Sequence, residues 1–429
     1  MGLFLFASTM RDACYKTQVV ASVIGYIAFT SLFPAFKTFS YLQSKFQVML
    51  KKLIFIFFLF TGLVLKGQEV DALMNDTQVS LLTCDPGTEI YSLFGHSAVR
   101  VKNDTKNFDV VFNYGTFNFK TPNFTIKFMR GKLPYRLTVS SYADFLREYH
   151  YFKRGVREQV LQINNEQKKE VIAFLENNAK PENAEYKYDF FYDNCSSRIR
   201  DVFEKTLHYP PQYAGEKDLT FRDLLHRYLQ SWPWLGTGID IIIGSKADKK
   251  ADPSAQMFIP DKLHDNLASA AIDGRSLLAD TYDVLIFERP MDQPWFTPEV
   301  VSFVLILLIV FLMFRKQDRY LNMLFKAWQI FAILAALLII FLWFFTDHQA
   351  TKLNYNLLWL NPLYLVFFTK NKIWQYRTTL LLVVLFIACF CNQYIGLLNQ
   401  DMPIKSFMWT LFLLSFKYNN LKPTPGVQA

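Results

Sequence analysis

The hydropathy of this chain changes near Pro298, and that change limits what the chain can fold into. Over residues 68–293 charged, polar and apolar residues are mixed, whereas beyond Pro298 long apolar runs are separated only by short polar loops. A water-soluble core cannot hide runs of that kind, which are typical of membrane-spanning helices. The sequence therefore predicts a globular domain over residues 68–293 and an all-α transmembrane domain over residues 294–416.

The charges of the C-terminal part fit five membrane crossings on alternating sides. Cations follow the first, third and fifth apolar segments, and the positive-inside rule places such loops in the cytoplasm. The chain would end inside, with a cytoplasmic tail over residues 417–429. Pro362 predicts a break or an end in the third segment. The predicted segments are 300–314, 327–345, 357–368, 379–391 and 404–416.

The loop between the second and third segments should face outwards. Its polar residues include Asp347, His348, Asn354 and Asn356. Polar side chains at a helix end are usually solvated, although such a cluster could also contact lipid head groups. Trp359 is expected in the aromatic belt at the membrane boundary.

Residues 49–67 have a charged start and a short apolar run, which is the pattern of a signal peptide or signal anchor. Met49 is therefore expected to be the true start, and residues 1–48 a misassigned N-terminal extension. The rival interpretation is an additional membrane segment near residues 19–36. No clear cleavage site follows the apolar run, so cleavage stays open. In either case the chain after Gln68 is exported.

The net charge of +9 and the five cysteines narrow the function classes. Many cations border apolar runs, so the charge reflects membrane topology and predicts no nucleic-acid partner. The cysteines lack the paired spacing of a zinc site or a disulfide-rich scaffold. A GxSxG elbow, an HExxH helix and a phosphate-binding glycine loop are also missing. The sequence predicts neither a metal nor another cofactor.

The exported domain is predicted to be of the α+β class. Short runs of β-branched and aromatic residues between turn residues predict strands over 77–83, 96–102 and 109–114. Helical patterns are expected over 142–149, 165–178 and 195–207.

Cys195 is the leading candidate for a catalytic nucleophile. It follows Asp193 and Asn194, both good N-cap residues, and precedes an amphipathic helical pattern. In the first turn of a helix, the dipole and the unpaired N–H groups favour the thiolate and could hold an oxyanion. The competing interpretation is a buried free cysteine, or a disulfide with Cys84 in the oxidising envelope.

His96 is the favoured base for this cysteine. Gly95 has no side chain, so the backbone can approach its neighbours closely here. The alternation of apolar and polar residues that follows predicts a strand leading out of the site. Asn113, at the end of the next predicted strand, could orient the imidazole through its side-chain carbonyl. It could equally be a turn asparagine. The other histidines of the domain are expected at the surface, and they are His150, His208, His226 and His264.

The order of these elements, a histidine on a strand and then Asn-Cys at a helix start, resembles the circularly permuted papain-like fold of the NlpC and lecithin:retinol acyltransferase type. Several segments are more specifically similar to the Lnb family of bacterial envelope proteins, which pairs such a periplasmic domain with five C-terminal helices. The resemblance extends from about Gln68 to Phe416. Its segments are YSLFGHSAVR (91–100), FNYGTF (112–117), YDFFYDNCSSRIRD (188–201), LGTGID (235–240) and MFIP (257–260).

This resemblance implies a lipoprotein N-acyltransferase of the bacterial inner membrane, with its catalytic domain facing the periplasm. A phospholipid would donate an acyl chain, through a cysteine thioester, to the N-terminal diacylglyceryl-cysteine of a lipoprotein acceptor. The matching catalytic residues are His96 and Cys195, and no cofactor is implied. Asn113 is kept as a third catalytic candidate. The residues expected to contact the substrate are Asn194, Ser196 and Tyr114.

Two alternatives use the same residues differently. In the first, His96 and Cys195 serve a peptidase or amidase acting on cell-wall peptide, which gives no reason for several membrane helices. In the second, the domain is not catalytic and binds an envelope partner or lipid, while Cys195 forms a disulfide with Cys84. An acyl-enzyme formed from phospholipid would argue against the first alternative, and a quantitative disulfide would support the second.

Overall fold

The computed structural model describes residues 73–207, 215–272, 274–288 and 294–422, together with Met49, Lys51 and Lys52. The predicted extension over residues 1–48 lies outside the described residues, and so does most of the predicted signal segment over residues 49–67. The chain from Leu73 onward forms one compact unit. Within it, a sheet with flanking helices precedes a bundle of apolar helices.

An antiparallel sheet of seven strands is the framework of the first part. The strands lie in the order β6-β4-β3-β2-β1-β5-β9. Their bounds are β1 Thr77–Cys84, β2 His96–Asn103, β3 Phe108–Thr116, β4 Pro134–Ser141, β5 Val156–Leu161, β6 Glu185–Lys187 and β9 Leu278–Leu285. A separate ribbon pairs β7 (Ala271–Ile272) with β8 (Arg275–Ser276). The three predicted strands are confirmed as β1, β2 and β3.

Helices cover both faces of the sheet. The bounds are α1 Phe124–Met129, α2 Tyr142–Tyr151, α3 Asn165–Ala179, α4 Cys195–Thr206, α5 Phe221–Leu229, α6 Pro233–Ile242, α7 Pro253–Gln256 and α8 Pro260–Ser269. The three predicted helices are confirmed as α2, α3 and α4. Because successive strand residues point to opposite faces, Leu81 packs with α3, α4 and α8, whereas Leu82 packs with α2. This part is therefore a mixed α/β domain, which agrees with the predicted class at that level.

The second part is a bundle of apolar helices. Their bounds are α9 Pro298–Phe314, α10 Asp318–Phe344, α11 Lys372–Ile395 and α12 Trp409–Leu421. Among the described helices, α10 and α11 are long and apolar enough to cross a membrane, and α9 is a shorter apolar helix. At 1.5 Å per residue, α10 is about 40 Å long, more than the hydrocarbon core requires. These helices overlap four of the five predicted segments.

The third predicted segment is not an α-helix. Its residues form two 3-10 helices, Tyr355–Leu358 and Pro362–Phe368. Asn361 starts the second by accepting a hydrogen bond from the Leu363 N–H, while Pro362 has no N–H to continue an earlier helix. Both turns contact α11, and the second also contacts α10. These tight turns pack on the bundle with one face, whereas side chains of the second turn, including Leu363, are exposed.

Trp359 belongs to the core of the bundle and not to an aromatic belt. Its side chain is 1% exposed, and its ring stacks on that of Trp328 with centroids 6.3 Å apart. The indole N–H donates to Asn356 Oδ1 at 2.9 Å. A buried indole needs such a partner, and a tryptophan inside an apolar run gives no sign of whether it has one. The belt prediction is therefore wrong for this residue.

Two asparagines of the predicted outer loop bind the end of α6. Asn354 Nδ2 donates to Ile241 O and Asn356 Nδ2 donates to Asp240 O, each at 2.8 Å. The last carbonyls of a helix have no partner within it, so the bundle caps a helix of the sheet part. Both asparagines are completely buried, and the expectation that they are solvated is wrong. We call this contact the junction.

A buried ion cluster strengthens the junction. Arg222 is 1% exposed and donates to both Asp240 and Asp248. Asp248 also accepts the backbone N–H of Asp401, which follows α11. His226 Nε2 lies 2.9 Å from Asp240, and this hydrogen bond, opposed by partial burial, raises the pKa of His226. The histidine expected at the surface is therefore half-buried in the junction.

Arg222→Met tests this cluster. The change leaves Asp240 and Asp248 without their cation, so we expect a loss of about 3–5 kcal/mol in the free energy of unfolding. Arg227→Met is the matched control, because Arg227 lies on the same helix and forms an exposed ion pair with Glu216. That change should cost less than about 1 kcal/mol. Chemical unfolding of the full chain in detergent, followed by tryptophan fluorescence, makes the comparison. Equal losses would contradict a special role for the junction.

Candidate active site

Cys195 is the first residue of α4, and the residue before it caps the helix. Asn194 Oδ1 accepts hydrogen bonds from the N–H groups of Ser196 and Ser197, both at 2.9 Å. Ser197 Oγ accepts the N–H of Asn194 at 2.8 Å, which completes a capping box. The predicted cap and the position of the cysteine in the first turn are confirmed. Two first-turn N–H groups are thereby used, and the N–H of Cys195 is the one we expect to be free for a substrate oxygen.

The amide nitrogen of Asn194 fixes this helix start to the rest of the domain. Nδ2 donates to Phe190 O at 2.9 Å and to Phe258 O at 2.8 Å. The side chain is 3% exposed, so water does not compete for these bonds. Every hydrogen-bonding group of the amide is therefore used in placing the cysteine.

The surroundings of Cys195 favour its thiolate. Burial raises the pKa of the thiol, but the charge and hydrogen bond of His96, the Ser97 N–H and the Ser196 hydroxyl outweigh burial and lower it to about 7. Ser196 Oγ lies 3.8 Å from the sulfur and 2.9 Å from Ser97 Oγ. An ordinary cysteine has a pKa of about 8.5, so a far larger fraction of this thiol is ionised near neutral pH.

His96 and Asn113 approach each other from neighbouring strands. His96 is the first residue of β2, and its Nε2 lies 3.4 Å from Asn113 Oδ1 on β3. Asn113 Nδ2 in turn lies 3.4 Å from Ser140 Oγ on β4. With Nε2 facing the amide, Nδ1 is the ring nitrogen available to the sulfur. The three catalytic candidates of the sequence are thus brought together, and their catalytic roles stay predictions.

Gly115 makes room for the sulfur. The pairing of β3 with β4 shifts between Asn113 and Thr116, and within this bulge Gly115 has a φ of +84°. A Cβ atom on this residue would lie 3.4 Å from Cys195 Cβ and 3.8 Å from the Tyr186 hydroxyl. Glycine therefore serves both the left-handed backbone and the close approach of α4.

Tyr186 is a site residue that the sequence did not reveal. Its hydroxyl is buried without a hydrogen-bond partner within the described residues. Burial, together with the charge of Cys195, raises its pKa well above the ordinary value, so it remains a neutral donor. The ring lies under Arg198, whose guanidinium carbon is 3.6 Å from the ring centroid. A tyrosine in a three-residue strand carries no local signal of this position.

The residues predicted to contact substrate have buried side chains. Asn194 is occupied by the cap, and Ser196 is bonded to Ser97. Tyr114 is 1% exposed, and burial raises its pKa to about 12. In this geometry the three side chains support the site from behind. Their direct contact with substrate stays a prediction. It would require their backbone groups or a movement of the side chains.

Cys84 is not bonded to Cys195. Both thiols are free, and Cys84 packs with Leu82 and Tyr149 on the sheet face opposite to the core behind Cys195. Burial raises the pKa of Cys84 to about 12. The disulfide of the non-catalytic alternative is therefore not formed in this structure.

The remaining histidines lie in different settings. His150 is exposed as expected, and His208 lies outside the described residues. His264 has a side chain only 14% exposed, because α8 turns this face towards the sheet, where Gln159 Nε2 donates to His264 O at 3.1 Å. The surface expectation for His264 is wrong. Within the described residues, no group of three or more His, Cys, Asp or Glu side chains could hold a metal ion.

A row of aromatic rings leads away from the sulfur. Tyr188, whose pKa is raised by burial and by the charge of Cys195, stacks on Tyr135 with centroids 4.3 Å apart. Phe117 lies 5.3 Å from Tyr135 and 5.8 Å from Phe124, and Phe124 stacks on Phe128 at 6.2 Å. We call these five residues the aromatic row. It connects the neighbourhood of the thiol to the exposed surface of α1.

Two family models match the chain. Residues 70–227 match the Lnb N-terminal periplasmic domain, and residues 290–422 match the Lnb transmembrane domain. The first range contains His96, Asn113 and Cys195, and the second contains the four apolar helices. No curated protein and no solved structure matches the chain.

The pH dependence of alkylation tests the activation of the thiol. Because the thiolate is the reactive form, the rate at which iodoacetamide modifies Cys195 should rise with pH around a midpoint of about 7. In His96→Ala the midpoint should move upwards, because the charge and the hydrogen bond by which His96 lowers the thiol pKa are lost while burial remains. Peptide mass spectrometry follows the modification, with buried Cys84 as the internal unreactive thiol. An unchanged midpoint in His96→Ala would contradict the assignment.

Proposed function

Since the chain belongs to the Lnb family, we propose that it is a lipoprotein N-acyltransferase that works through a thioester on Cys195. The two matches make it a membrane protein with a periplasmic region, and we place it in the bacterial inner membrane. The observation that carries the proposal is the interaction of His96 with Cys195. This cysteine lies at a helix start, and its pKa is lowered to about 7. Such a thiolate suits acyl transfer at neutral pH.

We also propose that the sheet part has the permuted papain-like arrangement. Its support is the chain order, in which the histidine strand β2 and the asparagine strand β3 precede the cysteine helix α4. The cysteine helix packs on the same strands. A cysteine, a histidine and an orienting amide are the three groups that such enzymes use.

In the first step, the Cys195 thiolate attacks the ester carbonyl of a phospholipid. A carbon–sulfur bond forms, the bond to the glyceryl oxygen breaks, and His96 supplies the proton that this oxygen needs as it leaves. The products are an acyl-enzyme thioester and a lysophospholipid. Asn113 would keep the imidazole in position through its 3.4 Å contact.

In the second step, the free amino group of the diacylglyceryl-cysteine attacks the thioester. A carbon–nitrogen bond forms, the carbon–sulfur bond breaks, and His96 takes the proton from the amine as the thiolate leaves. The net reaction transfers one acyl chain and needs no oxidant, metal or cofactor. Water must be kept from the thioester, and the aromatic surroundings of the sulfur favour this.

Both steps pass through a tetrahedral oxyanion, for which the chain offers two donors. One is the N–H of Cys195 at the start of α4, where the helix dipole also favours negative charge. The other is the unpartnered hydroxyl of Tyr186, which lies beside Gly115 on the side that faces Cys195. A buried neutral hydroxyl without a partner is costly unless a ligand uses it, which supports this role.

Tyr186→Phe tests the second donor. Removing one oxyanion donor should lower the rate of N-acylated product formation by roughly a hundredfold. The alkylation midpoint of Cys195 should stay in place, because the hydroxyl is neutral. Tyr192→Phe is the matched control, since this tyrosine lies in the same segment with its side chain 45% exposed. An unchanged rate in Tyr186→Phe would remove the hydroxyl from the mechanism.

The proposed function is tested in cells that lack their own lipoprotein N-acylating enzyme. The full chain should add the mass of one acyl chain to the N-terminus of a reporter lipoprotein, and Cys195→Ser should abolish this addition. Cys391→Ser is the control for loss of a thiol, because this cysteine lies on α11. No addition by well-expressed protein, with cleavage of cell-wall peptide that needs Cys195, would establish the amidase alternative instead.

A further inference from the structure

Residues 117–132 connect β3 to β4 and expose an unusually apolar surface beside the candidate site. We call this segment the interfacial lip. Its helix α1 contains no buried residue. The exposed apolar side chains of the lip are Phe119, Ile126, Phe128 and Met129, and Ile90 and Tyr91 lie exposed across from it, with Tyr91 6.3 Å from Phe117. An apolar patch of this kind on a soluble surface marks contact with a partner or a membrane.

The charge of the lip points to the chemistry of that partner. The segment carries four cations, Lys120, Lys127, Arg130 and Lys132, and contains no aspartate or glutamate. Three of the four are exposed, and Lys127 is half-buried. Aromatic and aliphatic side chains beside basic ones match the interface of a bilayer, where acyl chains begin below the phosphates.

The structure fixes the lip at the outer end of a membrane helix. Arg130 O accepts the N–H of Asp347 at 2.9 Å, and His348 Nε2 lies 3.2 Å from Phe128 O. Asp347 is the third residue after the end of α10. Phe344 and Phe345, at that end of α10, are themselves exposed. The apolar side chains of the lip therefore lie at the level where the bilayer ends.

We propose that the lip enters the periplasmic leaflet and holds a phospholipid, with the phosphate on its cations and an acyl chain along the aromatic row. The contact with the membrane follows from the position of the lip on α10. Delivery of the lipid ester to Cys195 rests on the proposed function. The lip would thus let the site take a phospholipid without the lipid leaving the leaflet.

Photo-cross-linking of the full chain in phospholipid membranes tests the membrane contact. A photoreactive residue is placed at Ile126, at Leu334 on the exposed face of α10, or at Lys106. Lys106 is exposed in the turn before β3, about 30 Å along that strand from the lip. Mass spectrometry should find lipid adducts at Ile126 and Leu334 and none at Lys106. An adduct at Leu334 without one at Ile126 would overturn the proposal.

A charge reversal tests the headgroup contact. Lys120→Glu, Lys127→Glu and Lys132→Glu together should lower the adduct yield at Ile126 by about tenfold or more in vesicles of phosphatidylethanolamine and anionic phosphatidylglycerol. Lys106→Glu is the matched control and should leave the yield unchanged. An unchanged yield in the triple variant would show that the cations do not hold the phosphate.

The same measurements separate the lip from the proposed function. The cross-linking is carried out with Cys195→Ser, so adduct formation does not depend on turnover. Adducts at Ile126, together with a failure of the chain that retains Cys195 to acylate the reporter lipoprotein, would leave the lip standing and remove the transferase proposal. Acylation of the reporter by a chain that gives no adduct at Ile126 would remove the lip proposal and leave the transferase proposal standing.

Discussion

One amide side chain determines where Cys195 lies. Asn194 accepts two N–H groups of the first turn of α4 and donates to two carbonyls, those of Phe190 and Phe258. An aspartate would cap the helix equally well but has no donor for the two carbonyls, and a serine has too few groups for all four bonds. The pair Asn194-Cys195 therefore follows from hydrogen-bond geometry. The lowered thiol pKa and the close approach of α4 to Gly115 both depend on this helix start.

The sheet part does not hang freely from the bundle. At the junction, Asn354 and Asn356 cap the end of α6, and Arg222 holds two carboxylates of the same region. The lip is attached at a second point, through Arg130 and the end of α10. Two separate attachments fix the position and the orientation of the sheet part relative to the bundle. Under the proposed function both reactants are anchored in a membrane, and a reaction between them would gain from such positioning.

Local patterns were enough to predict part of the fold and of the site. The alternation in β1 to β3 and the cap of α4 are encoded within a few residues, and they led to His96, Asn113 and Cys195. Strand β5 was missed because it buries Glu158 and Gln159, which look like surface residues. Tyr186 reaches the sulfur only because β6 pairs with β4, about fifty residues earlier. The turns after Asn354 likewise depend on the neighbouring helices.

The separation of the two thiols in the sheet part determines how the site responds to oxidation. A thiolate of low pKa in an oxidising compartment is readily converted to a sulfenic acid, and a second thiol nearby usually rescues it through a disulfide. Cys84 cannot do this, since it is buried on the opposite face and remains protonated. Within the described sheet part, an oxidised Cys195 therefore has no thiol to form a disulfide with, and its reduction would depend on a thiol from elsewhere.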